Sequence, residues 1–110
     1  MIVEDVSSAL QTIAPLEYAA DWDNVGLIAG SATWPADSIL LTIDLTEPVL
    51  REAIDARAQM IISYHPPIFD PVTALTTATA RGRILLEAAQ RRIAIYSPHT
   101  ALDAVKGGVN

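Results

Sequence analysis

Cysteine is absent from the 110 residues, so neither a disulfide framework nor a thiolate metal site can be built. Any metal held by this chain must sit on nitrogen and oxygen donors. Cations are scarce: seven Lys and Arg against thirteen Asp and Glu leave a formal charge of -6, and the cations are nowhere massed into a patch. Gripping a phosphate backbone needs a basic face, so direct nucleic-acid binding is not expected. No run approaches the roughly 18 apolar residues of a membrane-spanning helix. Met1 to Asp5 lacks both the basic start and apolar run of a signal peptide and the Arg and Ser bias of a transit peptide. A soluble, cytoplasmic protein without a membrane partner is expected. Repeats, low-complexity tracts and linker-like stretches are also missing, so residues 1–110 read as a single domain.

What is present suits folding. Apolar residues make up 51% of the chain and charged ones 18%, enough for one core and too few residues for two. Ile2, Val3, Val6, Ala9, Leu10 and Ile13 recur at helical spacing until Pro15 stops them. Val25 to Ala29 is a short apolar run closed by Gly30, read as a strand. Ser38 to Leu45 is nearly continuous β-prone sequence, the form of a central strand covered on both faces by helices. Thr46 can cap the following helix, whose buried stripe is Val49, Leu50, Ala53 and Ile54. Met60 to Ser63 is the next strand, Ile68 to Thr79 a loop, Ala80 to Arg91 a third helix and Ile93 to Tyr96 a further central strand. This order predicts an α/β fold with a mainly parallel sheet, right-handed crossovers and helices on both faces.

Both histidines follow such strands directly: His65 comes after Met60–Ser63 and His99 after Ile93–Tyr96. Ligands of open parallel sheets collect outside the carboxyl ends of the strands, so the two imidazoles are expected at one rim. Asp103 lies four residues beyond His99, where a turn or helical start would put both on one face. Imidazole with carboxylate suits Zn, Mn, Fe or Co, although three ligands are fewer than the usual four. Tyr64, Tyr96 and Asp23 are neighbouring candidates in sequence. A Tyr at a strand end is more commonly a packed ring, and Asp23 and Asn24 are expected to make turn and cap hydrogen bonds. Ser63 and Ser97 lack the glycine pattern of a nucleophile elbow, and Gly26, Gly30 and Gly82 form no phosphate-binding loop.

Four motifs then stand in order: Trp22-Asp23-Asn24-Val25-Gly26-Leu27, Ile61-Ile62-Ser63-Tyr64-His65-Pro66-Pro67-Ile68-Phe69, Tyr96-Ser97-Pro98-His99-Thr100-Ala101-Leu102-Asp103, and Gly107-Gly108-Val109-Asn110. Together they resemble the NIF-three-like family, also called type-two GTP cyclohydrolase I homologues, along essentially the whole chain. The resemblance implies a dinuclear divalent-metal centre between two α/β halves, hydrolase-like geometry and ring-shaped homo-hexamers. His65, His99 and Asp103 match its ligand positions, with Asp103 bridging. Tyr64 stands where the common bacterial pattern has a first histidine, as in the eukaryotic-looking variant, and is read as a supporting residue beside the metal. The family's remaining His and Glu ligands would lie on a C-terminal segment, so this chain reads as the N-terminal half of a larger two-part fold. Two functions follow as expectations: a metal-dependent hydrolase with an incomplete site, or a non-catalytic interaction or regulatory scaffold with protein partners.

Overall fold

Helix α1, Val3–Ile13, forms because Val3 and Val6 repeat on one face while Asp5 accepts the free Ile2 N–H at 2.8 Å at its start. The computed structural model describes residues 1–104. The turn expected at Gly107-Gly108 lies outside them. Helix α2, Glu47–Asp55, is capped as anticipated by Thr46, whose Oγ1 accepts the Val49 N–H. Thr79 does the same for α3, Ala80–Gln90, through the Gly82 N–H.

Both long crossover helices end identically. After α2 the Ala58 N–H reaches the Ala53 carbonyl and the Arg57 N–H reaches Ile54; after α3 Ile93 reaches Ala88 and Arg92 reaches Ala89. These paired bonds satisfy carbonyls that a helix end leaves open, and they require a left-handed residue in between. Arg57 and Arg92 fill that position at φ 58° and 54°.

The described residues form four strands: β1 Gly26–Ala29, β2 Ile39–Thr42, β3 Met60–Ser63 and β4 Ala94–Ser97. Their order in the sheet is β1-β4-β3-β2, with β2, β3 and β4 parallel and β1 antiparallel to β4. The mainly parallel α/β sheet expected from the sequence is therefore present. Gly30 ends β1 at φ +111°, where an added Cβ would come within 3.0 Å of the Ala94 backbone.

The sheet has a core on each face. Ile61 and Ile95 pack with Leu50 and Ala53 of α2 and Ile84, Leu85 and Ala88 of α3, while Met60, Ala94 and Tyr96 pack with Val3 and Val6 of α1. This alternation along β3 and β4 is the period-two signature of strands buried on both faces. One expectation is corrected: β2, read as central and running to Leu45, stops at Thr42 and lies at the sheet edge. The Thr42 hydroxyl donates to the Asp44 carbonyl and bends the chain there. A neutral apolar run has the same sequence whether helices or another strand cover it.

A short helix, α4, His99–Asp103, closes the described chain and packs near the 3₁₀ turn Leu16–Tyr18. No helix among the described residues is long and apolar enough to cross a membrane.

Candidate functional site

The parallel strands β2, β3 and β4 all finish at one rim, and the antiparallel β1 begins there, with Gly26 opposite Ser97. Asp44 follows β2, Tyr64 and His65 follow β3, His99 and Asp103 follow β4, and Asp23 and Asn24 precede β1. The rim thus collects residues from four separate stretches of sequence.

The two imidazoles meet as expected, their ring centroids 5.4 Å apart and nearly perpendicular. Tyr64 sits against both, 4.9 Å from His65 and 5.3 Å from His99. Ser63 and Ser97 are fully buried and donate to the carbonyls of His65 and Tyr64, which fixes the loop carrying these rings and engages both hydroxyls.

Each histidine faces its own carboxylate through Nδ1: His65 lies 2.7 Å from Asp44 Oδ1 and His99 lies 2.9 Å from Asp23 Oδ1. An ionised carboxylate only accepts, so Nδ1 carries the hydrogen in both rings. In the neutral imidazoles the lone pair is then on Nε2. Metal-binding histidines are oriented in this way by a carboxylate behind them.

Asp23 does more than the turn and cap bonding expected of it. Its side chain has no exposed surface, Oδ1 also accepts the Asn24 N–H, and Oδ2 accepts the Thr100 N–H and hydroxyl. Burial pushes its carboxyl pKa up, but the bonds from Thr100, His99 and Asn24 outweigh burial and hold it below the ordinary value. Thr100 in turn accepts the Ala20 N–H, and the Asn24 amide donates to the Ile68 carbonyl, tying the loops on either side of the rim together. His99 is held at φ 25°, an uncommon backbone state for a residue with a Cβ.

Asp103 is engaged by Tyr64, whose hydroxyl donates to Oδ1. That hydrogen bond, with burial and the Asp103 charge, pushes the phenol up to about 12. Tyr96, the other tyrosine considered, is a fully packed core ring. Among the described residues no three His, Cys, Asp or Glu side chains stand in an arrangement that could hold a metal ion. The donor chemistry accordingly fits part of a metal site: two oriented imidazoles and one carboxylate tethered beside them.

Asp44 was missed in the sequence, although its position just past β2 carried the same strand-end signal as the histidines. The Asp23–His99 pairing required knowing that β1 runs antiparallel.

The whole chain, residues 1–110, matches the family described as Duf34/NIF3 (NGG1p interacting factor 3). The chain belongs to the DUF34/NIF3 family. NIF3-like protein 1 of Rattus norvegicus is 45% identical over 111 residues, covering 100% of this chain and 30% of the rat protein. A Clostridium perfringens GTP cyclohydrolase 1 type 2 homolog is 37% identical over 110 residues, covering 100% of this chain and 42% of its own length. The crystal structure of a Bacillus cereus protein related to NIF3 superimposes with a TM-score of 0.95 at 37% identity, over 100% of this chain and 30% of that one. The chain therefore spans less than half the length of these DUF34/NIF3 relatives, and its fold is the one the family uses over that portion.

Proposed function

We propose that His65, His99 and Asp103 supply part of a divalent-metal centre serving a hydrolytic reaction. The observation that carries this reading is the pairing of both imidazoles, through Nδ1, with the carboxylates of Asp44 and Asp23. Two nitrogens and a carboxylate oxygen suit Zn, Mn, Fe or Co. When bound, such an ion lowers the pKa of a coordinated water and polarises a carbonyl or phosphoryl oxygen.

The chain's own residues have distinct parts. Asp23 and Asp44 fix the tautomer and direction of the rings, and the Asp23 network holds His99 against its strained backbone. Tyr64 positions Asp103 by occupying Oδ1, which leaves Oδ2 outside that bond. Three donors fall short of a closed site, so the reading includes further ligands from outside the described residues and two metals in a complete protein. A homo-oligomeric assembly, such as a ring-shaped hexamer, and a cytoplasmic location belong to the same proposal. The clostridial relative's name agrees with hydrolysis, while nothing in these side chains selects a purine nucleotide.

Calorimetric titration with Zn²⁺ or Mn²⁺ tests the assignment. Weak binding is expected, and it should be lost in His65→Ala, His99→Ala and Asp103→Ala. Binding untouched by all three substitutions would place any metal elsewhere. The family description as an interacting factor favours a second reading, a non-catalytic scaffold. Metal binding by the full-length protein without turnover of a panel of nucleotides and phosphoesters would support that reading over hydrolysis.

A further inference from the structure

Asp23 and Asp44 stand behind imidazole nitrogens, whereas Tyr64 brings its own oxygen onto an oxygen already assigned to the metal: its hydroxyl donates to Asp103 Oδ1. Two oxygens that share a proton are placed much as two oxygens of one coordination shell are. With metal–oxygen bonds of about 2.1 Å, neighbouring ligand oxygens lie about 3 to 3.4 Å apart across octahedral to tetrahedral angles. A phenol bonded to a carboxylate is slightly closer than that, so an ion taking the place of the proton needs the two oxygens to part by only about 1 Å or less.

The phenol is built to stay in place. Its backbone N–H donates to the Thr42 carbonyl at 3.0 Å and its carbonyl accepts the Ser97 hydroxyl at 2.9 Å, one strand on either side. Its ring lies against both imidazoles. The carboxylate is equally set, because α4 carries His99 and Asp103 four residues apart and is anchored by the buried Ala101. No donor among the described residues is bonded to the phenol oxygen, so its lone pairs are unused. The described residues hold no metal-ready group of three His, Cys, Asp or Glu, and the oxygen that stands beside Asp103 belongs to a fifth residue type.

We propose that Tyr64 is a direct metal ligand, its phenolate oxygen holding the same ion as the Asp103 carboxylate. As the ion binds, the phenol O–H bond breaks, the oxygen–metal bond forms, the proton passes to solvent and no electron changes hands. A bound cation is the largest charge in such a site and displaces a ligand's proton outright. The inference rests on the metal reading of His65, His99 and Asp103, to which it adds an anionic oxygen. Both oxygens belong to the described residues, so the pairing is the same whatever covers the rim.

Tyrosinate on ferric iron gives a visible charge-transfer band that imidazole and carboxylate ligands do not. Ferric nitrilotriacetate added to the chain should develop that band, and Zn²⁺ should produce the ultraviolet difference signal of tyrosinate. The chain has three tyrosines. Tyr64→Phe should abolish both signals, and Tyr18→Phe, at an exposed ring on the 3₁₀ turn, should abolish neither. Calorimetry in two buffers of different ionisation heat should show Tyr64→Phe binding Zn²⁺ about tenfold or more weakly and releasing about one proton fewer per ion. A hydroxyl that only positioned Asp103 would change the affinity but neither the band nor the proton count. Zn²⁺ binding that depends on His65, His99 and Asp103 with no tyrosinate signal from either ion would overturn the proposal and leave the metal reading standing. So would a signal that persists in Tyr64→Phe. No binding, or binding indifferent to those three residues, would remove the metal reading and this ligand with it.

Discussion

Asp23 Oδ1 accepts the Nδ1–H of His99 at 2.9 Å although 76 residues separate the two, and the carboxylate making the bond is completely buried. Asp23→Ala leaves the Thr100 and Asn24 donors and the imidazole without their acceptor. A loss of roughly 3 kcal/mol is expected, measured by urea denaturation at neutral pH. The folded carboxyl titrates below its ordinary value of 3.8, so its contribution is present above that pH and disappears as the pH falls through the lower folded value. The stability difference between Asp23→Ala and the unmodified chain should therefore shrink as acid is added below pH 3.8.

Tyr64→Phe removes the hydroxyl that engages Asp103 while keeping the ring against both histidines. The phenol titrates at about 12, above the ordinary 10.0, so its bond stabilises the fold at neutral pH and is lost as the pH rises through about 12. With the site partly open to solvent, the substitution should cost about 1 kcal/mol. Absorbance titration of tyrosinate should lose a component near pH 12.

Asp44→Asn keeps the shape behind His65 but replaces an obligatory acceptor by a group that can also donate. Metal affinity should fall about 10- to 100-fold, the usual effect of removing an orienting carboxylate. Because Asp44 and His65 are well exposed, thermal stability should change little. Calorimetry beside a melting curve separates the two effects.

Arg57→Gly and Arg92→Gly place glycine where the chain is already left-handed. Each should raise stability by roughly 1 kcal/mol in denaturant titrations, as the steric cost of a Cβ at positive φ disappears.

Gly82→Ala should do the opposite. Helix propensity alone favours alanine by about 1 kcal/mol, but a Cβ at residue 82 would sit 1.8 Å from the Thr76 carbonyl oxygen. The loop must move, and a net loss of about 2 kcal/mol is expected from chemical denaturation.

Periodicity made the helices and the two inner strands legible, because α1, α2, α3, β3 and β4 each bury a face whose spacing is written in consecutive residues. It also brought His65 and His99 to one rim, since parallel strands ending in histidine leave little freedom about where the rings emerge. The carboxylates behind those rings were harder. Asp23 meets His99 only because β1 reverses direction relative to β4, and strand direction is set by pairing, not by composition. The edge position of β2 was hidden for a related reason: an uncharged strand records that it becomes covered, not what covers it. Tyr64 was noticed as a departure from a histidine pair, but its bond to Asp103 depends on α4 turning that carboxylate back over the rim.

Placing β4 between β1 and β3 has a consequence for the order in which a newly made chain can mature. A chain emerging from its N-terminus has synthesised α1, β1, β2 and β3 before the strand that joins them exists. Until residues 94–97 appear, β1 has no hydrogen-bonded neighbour in the sheet, and Val3 and Val6 lack Ala94 and Tyr96 to pack against. Closing such long-range contacts carries its entropic cost before any reward is gained. The imidazole pair and its carboxylates consequently assemble only after β4 and the His99 segment that follows it have been made. A chain interrupted before β4 would expose unpaired strands to its neighbours and hold none of the His99 half of the rim.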